Sequence, residues 1–310
     1  MTTKEPRDYG DLSVYLNGEF VPWAEARVHV FSPAMKYGAG VFEGIRGYWT
    51  EADGQMQIFR LRDHLLRLEF SQKVMRFERI FSADEVAEPL IELIRRNDFS
   101  ENVHIRPTVY VDGDGESGAQ GPIGISITAV RRGSKAMVKN GCRVQVSSWQ
   151  RLSDLAMPTR VKANANYNNS RMAAMQAKTD GYDTALMLNA AGHVSEGPGM
   201  CFFMVRGGKP VTPSITSNIL ESITRATVID LLHEVFDLPT HERDVDRSEL
   251  YDADEAFFCG TGFEVTPILE IDGMAVGDGK IGPLTKKLQD AYFDLVTGKA
   301  ADDRGWLTAV

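Results

Sequence analysis

Lys162 stands in Pro158-Thr159-Arg160-Val161-Lys162-Ala163-Asn164-Ala165-Asn166-Tyr167-Asn168-Asn169-Ser170, a stretch too small and polar for core and too regular in its amides for a casual linker. Proline and threonine end a preceding element, two alanines leave room around the amine, and Asn169 or Ser170 is placed to cap a helix starting near Arg171. Such a lysine projects from a fixed turn. A free lysine has a pKa of about 10.4, and partial burial beside other cations lowers it, which is what an imine-forming nucleophile requires.

Two more groups suit the same chemistry. Leu220-Glu221-Ser222-Ile223-Thr224-Arg225 opens a helical pattern whose free N–H groups and dipole attract an anion, and Thr224 adds a hydroxyl. Gly260-Thr261-Gly262 follows the apolar run Ala256-Phe257-Phe258-Cys259, so its amides and the Thr261 hydroxyl converge on the same oxyanion, with Arg67 as counter-charge. Glu196, in His193-Val194-Ser195-Glu196-Gly197-Pro198-Gly199, follows a strand and is flanked by glycines that admit a flat ligand. Its carboxylate suits a protonated ring nitrogen. An amine for an imine, a cradle for a phosphate and an acid for a ring nitrogen are the parts that pyridoxal phosphate needs to act as an electron sink.

The rest of the chain permits this. The 310 residues are 43% hydrophobic and 25% charged, enough for one large or two medium globular domains. A net charge of −9 disfavours a nucleic-acid binder or a basic membrane-surface protein and favours small-molecule partners. Met1-Thr2-Thr3-Lys4-Glu5-Pro6-Arg7 lacks an apolar signal core, and no apolar run approaches a membrane span, so a cytoplasmic location is expected. Cys142, Cys201 and Cys259 are too scattered for a disulfide framework and read as buried thiols; the six histidines show no metal-ligand spacing, and no metal is expected.

Several elements must position these groups. Asn17-Gly18 predicts a tight hairpin, Ser32-Pro33 a short helical turn, and Gln55 to Phe59 a strand. Helices are predicted from Arg62 to Val74 and, behind a Ser82/Glu85 capping box, through Arg96. Strands Val103 to Val111 and Ile123 to Val130 flank a glycine-rich loop, and hairpins recur around Ala190-Ala191-Gly192 and Gly207-Gly208. Further helices are predicted over Asn169 to Lys178, Ser222 to Phe236 and Pro283 to Val296. Strands and helices segregate more than they alternate, which points to α+β architecture with mainly antiparallel sheets. Gly38-Ala39-Gly40 lacks the third glycine of a dinucleotide fingerprint, so a doubly wound fold is disfavoured. The basic, glycine-broken Arg131-Arg132-Gly133-Ser134-Lys135 suggests a boundary: a small N-terminal domain over 1–131, a linker over 132–140, and a large cofactor-binding domain over 141–310.

The chain resembles the fold-type IV (class IV) aminotransferases, and within them the branched-chain amino acid aminotransferases. The likeness is strongest in Tyr37-Gly38-Ala39-Gly40-Val41-Phe42-Glu43-Gly44-Ile45-Arg46, Ile105-Arg106-Pro107, Val146-Ser147-Ser148-Trp149, Lys162-Ala163-Asn164-Ala165-Asn166-Tyr167 and Gly260-Thr261-Gly262-Phe263-Glu264-Val265-Thr266-Pro267. It implies a two-domain fold-type IV enzyme that binds pyridoxal 5'-phosphate and exchanges amino groups between branched-chain amino acids and 2-oxoglutarate by a ping-pong route. It also implies that Lys162 is the covalent cofactor link, that Glu196 pairs with the pyridine nitrogen, and that Tyr167 lies near the phenolic oxygen. By the same resemblance Arg67, Ser222, Ile223, Thr224 and Thr261 hold the phosphate, and Tyr37 and Arg106 engage the substrate carboxylate beside Thr261 and Gly262. Phe42 and Gly44 line the side-chain pocket, and a homodimer or larger assembly is implied, with the glycine-rich loop of one subunit closing the other's site.

The chain departs from the branched-chain pattern in several places. Cys201 replaces asparagine, Glu221-Ser222 replaces Pro-Gly, Glu116 replaces an apolar loop residue, and Arg131-Arg132-Gly133-Ser134 stands where Trp and Tyr are expected. An aromatic wall rejects charge, whereas arginines either accept a second carboxylate or form a solvated linker. A D-amino acid or (R)-amine transaminase, an aminodeoxychorismate lyase and a non-catalytic binding protein remain as alternatives.

Overall fold

The computed structural model describes residues 9–51 and 54–310; the amino-terminal stretch read above for a signal core lies outside the described residues. The chain begins with the hairpin β1 (Ser13–Leu16) and β2 (Glu19–Pro22), followed by α1 (Pro33–Tyr37), β3 (Gly40–Phe42), β4 (Ile45–Thr50) and β5 (Gln55–Phe59). Helices α2 (Leu61–Val74) and α3 (Ala83–Arg96) precede the long pair β6 (Val103–Val111) and β7 (Ile123–Arg131). The second half runs α4 (Ala136–Asn140), β8 (Cys142–Val146), α5 (Asn166–Thr179), β9 (Thr184–Leu186), β10 (Glu196–Gly197), β11 (Met200–Arg206) and β12 (Lys209–Thr212). It closes with α6 (Ile223–Phe236), β13 (His241–Glu242), β14 (Glu255–Gly260), β15 (Glu264–Ile271), β16 (Met274–Ala275), α7 (Pro283–Val296) and β17 (Leu307–Ala309).

Local chemistry explains most boundaries. Asn17 and Gly18 both take positive φ, as a two-residue hairpin demands. Ser32 caps α1 by accepting from Met35 N–H, and the Ser82/Glu85 capping box is complete at the start of α3. α5 starts earlier than its pattern suggested. Its first residue is Asn166, and neither Asn169 nor Ser170 caps it. Asn169 instead ties the helix to the preceding loop, accepting from Leu152 N–H at 3.2 Å and donating to the Gln150 carbonyl at 2.9 Å.

The strands form two sheets. The first has eight strands, in order β17-β5-β4-β6-β7-β1-β2 with β3 also on β6, and every pairing is antiparallel. The second has nine, in order β13-β12-β11-β14-β15-β8-β9 with β10 also on β11 and β16 on β15, and is mixed: β8 runs parallel to both β15 and β9, and β12 parallel to β13. The 132–140 segment between the sheets carries the short helix α4. β17 returns from the carboxyl terminus to the edge of the first sheet, pairing with β5, so the last residues belong structurally with the first.

Three large cores hold these layers. One joins the first sheet to α2 and α3, a second fills one face of the second sheet, and the third packs Phe203, Phe257 and Cys259 against α6 and α7. Tyr48 and Phe59 of the first sheet reach into that third core. Phe203 and Phe257 stack in parallel at 5.1 Å. The two sheets are therefore locked together by apolar contact as well as by the buried ion pair of Arg46 and Glu264, 3.1 Å apart.

Candidate active site

The lysine segment is stitched to the first sheet as though it were one more strand. Phe42 N–H donates to the Lys162 carbonyl at 3.0 Å, and Asn164 N–H donates to the Gly40 carbonyl at 2.9 Å. Alternation then fixes the side chains. Val161 and Ala163, 2% and 0% exposed, point into the first core, so Lys162 between them points away from it. Gly40 is required at this seam, because a Cβ there would stand 2.8 Å from Asn164 Nδ2. Asn166 clamps the turn from behind by donating to the carbonyls of Pro158 and Val161.

Lys162 enters a cavity of about 460 Å³ between the two sheets. Its amine donates to the Tyr167 hydroxyl at 2.8 Å, and Tyr167 packs on the ring of Phe42 at 4.9 Å. Glu196 lies on the same cavity wall, buried, with Arg151 Nε 2.8 Å from Oε1 and Leu220 N–H donating to Oε2 at 3.2 Å. The arginine is close but badly aligned: its Nε–H and Nη1 find no hydrogen-bond acceptor. Burial accordingly outweighs the attraction of Arg151 and pushes the Glu196 carboxyl above its ordinary range. A buried carboxylate that is only partly compensated suits a ring nitrogen bearing a proton.

Near the start of α6, Leu220, Ser222 and Thr261 line the cavity, and Ser222 caps the helix by accepting from Arg225 N–H at 3.3 Å. Ile223 and Thr224 sit in the first turn of α6, both buried, and are not among the residues lining the cavity. The helix start, the Thr261 hydroxyl and the Arg67 guanidinium fit a phosphate, and Glu196 fits a pyridine nitrogen. Cys201 also lines the cavity, but burial pushes its thiol up to about 12, which leaves it neutral and without a nucleophilic role.

Arg67 is not a free counter-charge. Glu43, fully buried, grips it bidentately at 2.6 and 2.8 Å, while Nη1 donates to the Glu221 carbonyl at 2.7 Å. His64 Nδ1 approaches the same carboxylate at 2.8 Å. Arg67 already matches the charge of Glu43, so burial keeps His64 neutral and the contact is an imidazole N–H donating to a carboxylate. Glu43 is held well below the usual carboxylate range by Arg67 despite its burial, and His64 below the usual histidine range. Both shifts have one sign for stability. A depressed folded-state pKa contributes above the unfolded value and is lost as pH falls, so acid should weaken the fold below about pH 6.5 through His64 and further below about pH 4.3 through Glu43. Glu43→Gln should cost about 2–3 kcal/mol at pH 7. It should also flatten the fall of Tm below about pH 4.3, while the His64 part above that pH persists. Calorimetry of parent and variant checks both.

The substrate end combines more distant pieces. Phe42, Gly44, Arg106 and Gly262 line the cavity, with the Arg106 guanidinium 3.7 Å from the Phe42 ring centroid. A Cβ at Gly44 would meet His104 Nε2 at 3.1 Å, so glycine keeps this wall flat. Tyr37 is placed elsewhere: it is exposed on α1, donates to Glu116 Oε2 at 2.9 Å, and does not line its own chain's cavity. The two arginines at the sheet boundary separate. Arg131 faces outward to Glu101 at 3.4 Å, while Arg132 lines the cavity. Sequence reasoning missed Arg151, Glu43, His64, His104 and Lys135; none has a local sequence signal, because their partners lie on remote elements.

The amino-transferase class IV family profile matches residues 40–271. The chain is 39% identical over 306 residues to a probable branched-chain-amino-acid aminotransferase of Aquifex aeolicus (strain VF5), covering 96% of either chain. It is similar to the solved branched-chain aminotransferase of Thermoproteus uzoniensis with norvaline, at TM-score 0.91 and 42% identity over 97% of this chain and 99% of that one. The branched-chain amino acid aminotransferase of Thermobaculum terrenum in its PLP form gives TM-score 0.91 and 44% identity over 97% of this chain and 99% of that one.

Proposed function

The chain belongs to the class IV aminotransferases, which are pyridoxal-phosphate enzymes, and on that premise we propose that it exchanges amino groups between branched-chain L-amino acids (Leu, Ile, Val) and 2-oxoglutarate in two alternating half-reactions. The observation that carries this reading is the amine–phenol pair of Lys162 and Tyr167, 2.8 Å apart, in a cavity that Glu196 also lines.

Bound pyridoxal phosphate supplies the carbonyl carbon that takes the amino group and a pyridine ring that accepts the electron pair left when the Cα proton departs. With the cofactor bound, the Lys162 amine would take that proton from substrate Cα as general base and would deliver it, as general acid, to the cofactor carbon across the imine nitrogen. Tyr167 orients Nζ for this through its 2.8 Å hydrogen bond. Glu196 keeps a proton at the ring nitrogen, and its Leu220 N–H bond fixes the carboxylate that does so. Arg67, Ser222 and Thr261 would anchor the phosphate, with Ile223 and Thr224 contributing as the first turn of α6 behind them. Arg106, Thr261 and Gly262 receive the substrate carboxylate, and Phe42 and Gly44 bound its side chain.

Tyr37 completes the carboxylate site of a second subunit, together with the 112–122 loop. Apolar Val30, Phe31 and Met35 are 62%, 58% and 69% exposed near α1, which suits a homodimer interface. No helix among the described residues is long and apolar enough to cross a membrane, and we place the enzyme in the cytoplasm.

Half-reaction rates of the purified holoenzyme with leucine, D-alanine and (R)-1-phenylethylamine test this. Leucine should react fastest, and 2-oxoglutarate should restore the starting absorbance. A faster reaction with D-alanine or the amine, or pyruvate released from aminodeoxychorismate without a keto acid, would overturn it.

A further inference from the structure

One buried guanidinium joins two walls of the cavity without lining it. Ile45 of β4 faces the first core, so alternation along the strand turns Arg46 and Tyr48 toward the second sheet. Arg46 donates through Nη1 to the carbonyls of Arg132 and Gly133, at 2.7 and 3.4 Å, and through Nη2 to Glu264 Oε1 at 3.1 Å. The two carbonyls belong to the segment after β7, whose Arg132 and Lys135 line the cavity. The carboxylate opens β15, directly behind the turn of Thr261, Gly262 and Phe263 that lines the cavity from the other sheet.

Glu264 occupies an unusual backbone position for its type. Its φ is +51°, in the left-handed region that favours glycine, and it pairs with Gly260 across the three-residue turn. On backbone grounds alone glycine would suit this corner better. What a carboxylate adds here is the grip on Arg46, with the Tyr48 hydroxyl donating to the same oxygen at 3.3 Å. Backbone held outside its ordinary range persists where the surroundings over-determine it, and such positions gather at functional sites. The two walls also touch directly, since Lys135 Nζ stands 3.1 Å from the centroid of the Phe263 ring.

We infer that Arg46 and Glu264 are positioning residues for substrate binding: their ion pair sets the gap between the 132–135 segment and the 261–263 turn, and neither of them touches the substrate. This rests on the aminotransferase reading, in which Thr261 and Gly262 receive the substrate carboxylate. A gap fixed in advance holds the substrate in one orientation, whereas a gap that fluctuates must be restored at each binding event. The cofactor end is anchored separately. Lys162 is stitched to β3, and Arg67 is gripped by Glu43. Loosening the clamp therefore weakens substrate binding more than it slows turnover of bound substrate.

The test uses cofactor-loaded enzyme and three variants. Arg46→Lys keeps a cation beside Glu264, but one ammonium cannot span the carboxylate and the segment carbonyls as the planar fork does. Glu264→Gln keeps an acceptor without the charge. The double variant Arg46→Met/Glu264→Gln removes both charges, so it leaves no ion stranded if a single change fails to fold. In each, KM for leucine should rise at least about 10-fold while kcat stays within about 3-fold. The Kd for isocaproate, which is leucine without its amino group and binds without reacting, should rise in parallel, read from the cofactor's absorbance. The double variant should do no more harm than the worse single one, because both residues act through one contact. Amide hydrogen exchange should quicken together in peptides covering 132–135 and 261–263, and should stay at the parent's rate around Lys162 and the start of α6. Parent-like KM and Kd in Arg46→Lys and in the double variant, or faster exchange in one wall alone, overturn the clamp while leucine turnover leaves the aminotransferase reading standing. A parent unable to turn over leucine would remove that reading, and the paired exchange would still decide whether Arg46 and Glu264 couple the two walls.

Discussion

Lys162→Ala should lower transamination by at least about 10⁴-fold while leaving secondary structure and Tm close to the parent's. Among the described residues the side chain makes one hydrogen bond, its 2.8 Å donation to Tyr167, beside looser contacts with the Phe42 and Tyr167 rings. The backbone at this position is held by independent contacts, from Phe42 N–H to the Lys162 carbonyl and from Asn164 N–H to Gly40. Function and structure are thus separable at one residue. On the proposed reading, truncation removes both the covalent attachment of the cofactor and the base that moves the Cα proton. Cys201 lies nearby, but its thiol is held neutral by burial. Single-turnover measurements with leucine decide the matter, and added methylamine should recover a small part of the rate by standing in for the missing amine. Parent-like turnover by a sequence-verified Lys162→Ala protein would sink the assignment.

The contrast between what was legible and what was not follows from distance along the chain. Hairpins, capping boxes and the proline at the start of α7 are written within a few residues, and each appears where those residues stand. The lysine segment was legible only in part: its small, polar composition reads as lying outside the core, yet Val161 and Ala163 are buried in the first core and Lys162 between them faces the cavity. Groups whose meaning depends on a remote partner were not legible. Arg67 reads as a free counter-charge until Glu43 is seen gripping it, and Arg46 carries no local sign that it will meet Glu264 from the other sheet. The parallel pairing of β8 with β15 joins strands more than a hundred residues apart, and nothing in either strand's own pattern specifies it. Likewise Arg131 and Arg132 are chemically alike and adjacent, so only the strand's alternation at the end of β7 sends one to Glu101 and the other to the cavity.

Glu196 supplies the second large effect, and its two substitutions should differ in kind. Glu196→Gln keeps an acceptor for Leu220 N–H, now at 3.2 Å from Oε2, but cannot hold a proton at the ring nitrogen. The cofactor should still bind through its phosphate contacts, while the Cα proton-transfer step slows by about 10²–10³-fold, or about 3–4 kcal/mol in the barrier. Glu196→Ala should slow that step at least as much and also cost stability, because Arg151, 2.8 Å from the carboxylate and 6% exposed in its side chain, would remain buried without a counter-charge. Stranding such a partner costs roughly 3–5 kcal/mol. The misalignment of Arg151, whose Nε–H and Nη1 lack acceptors, places the loss toward the lower end of that range. Exchange of the leucine Cα hydrogen in D2O reads the first effect and thermal unfolding of the cofactor-free proteins reads the second. If cofactor-loaded Glu196→Ala exchanged the hydrogen at the parent's rate, the carboxylate would have no part in the proton transfer and its pairing with Arg151 would be structural only.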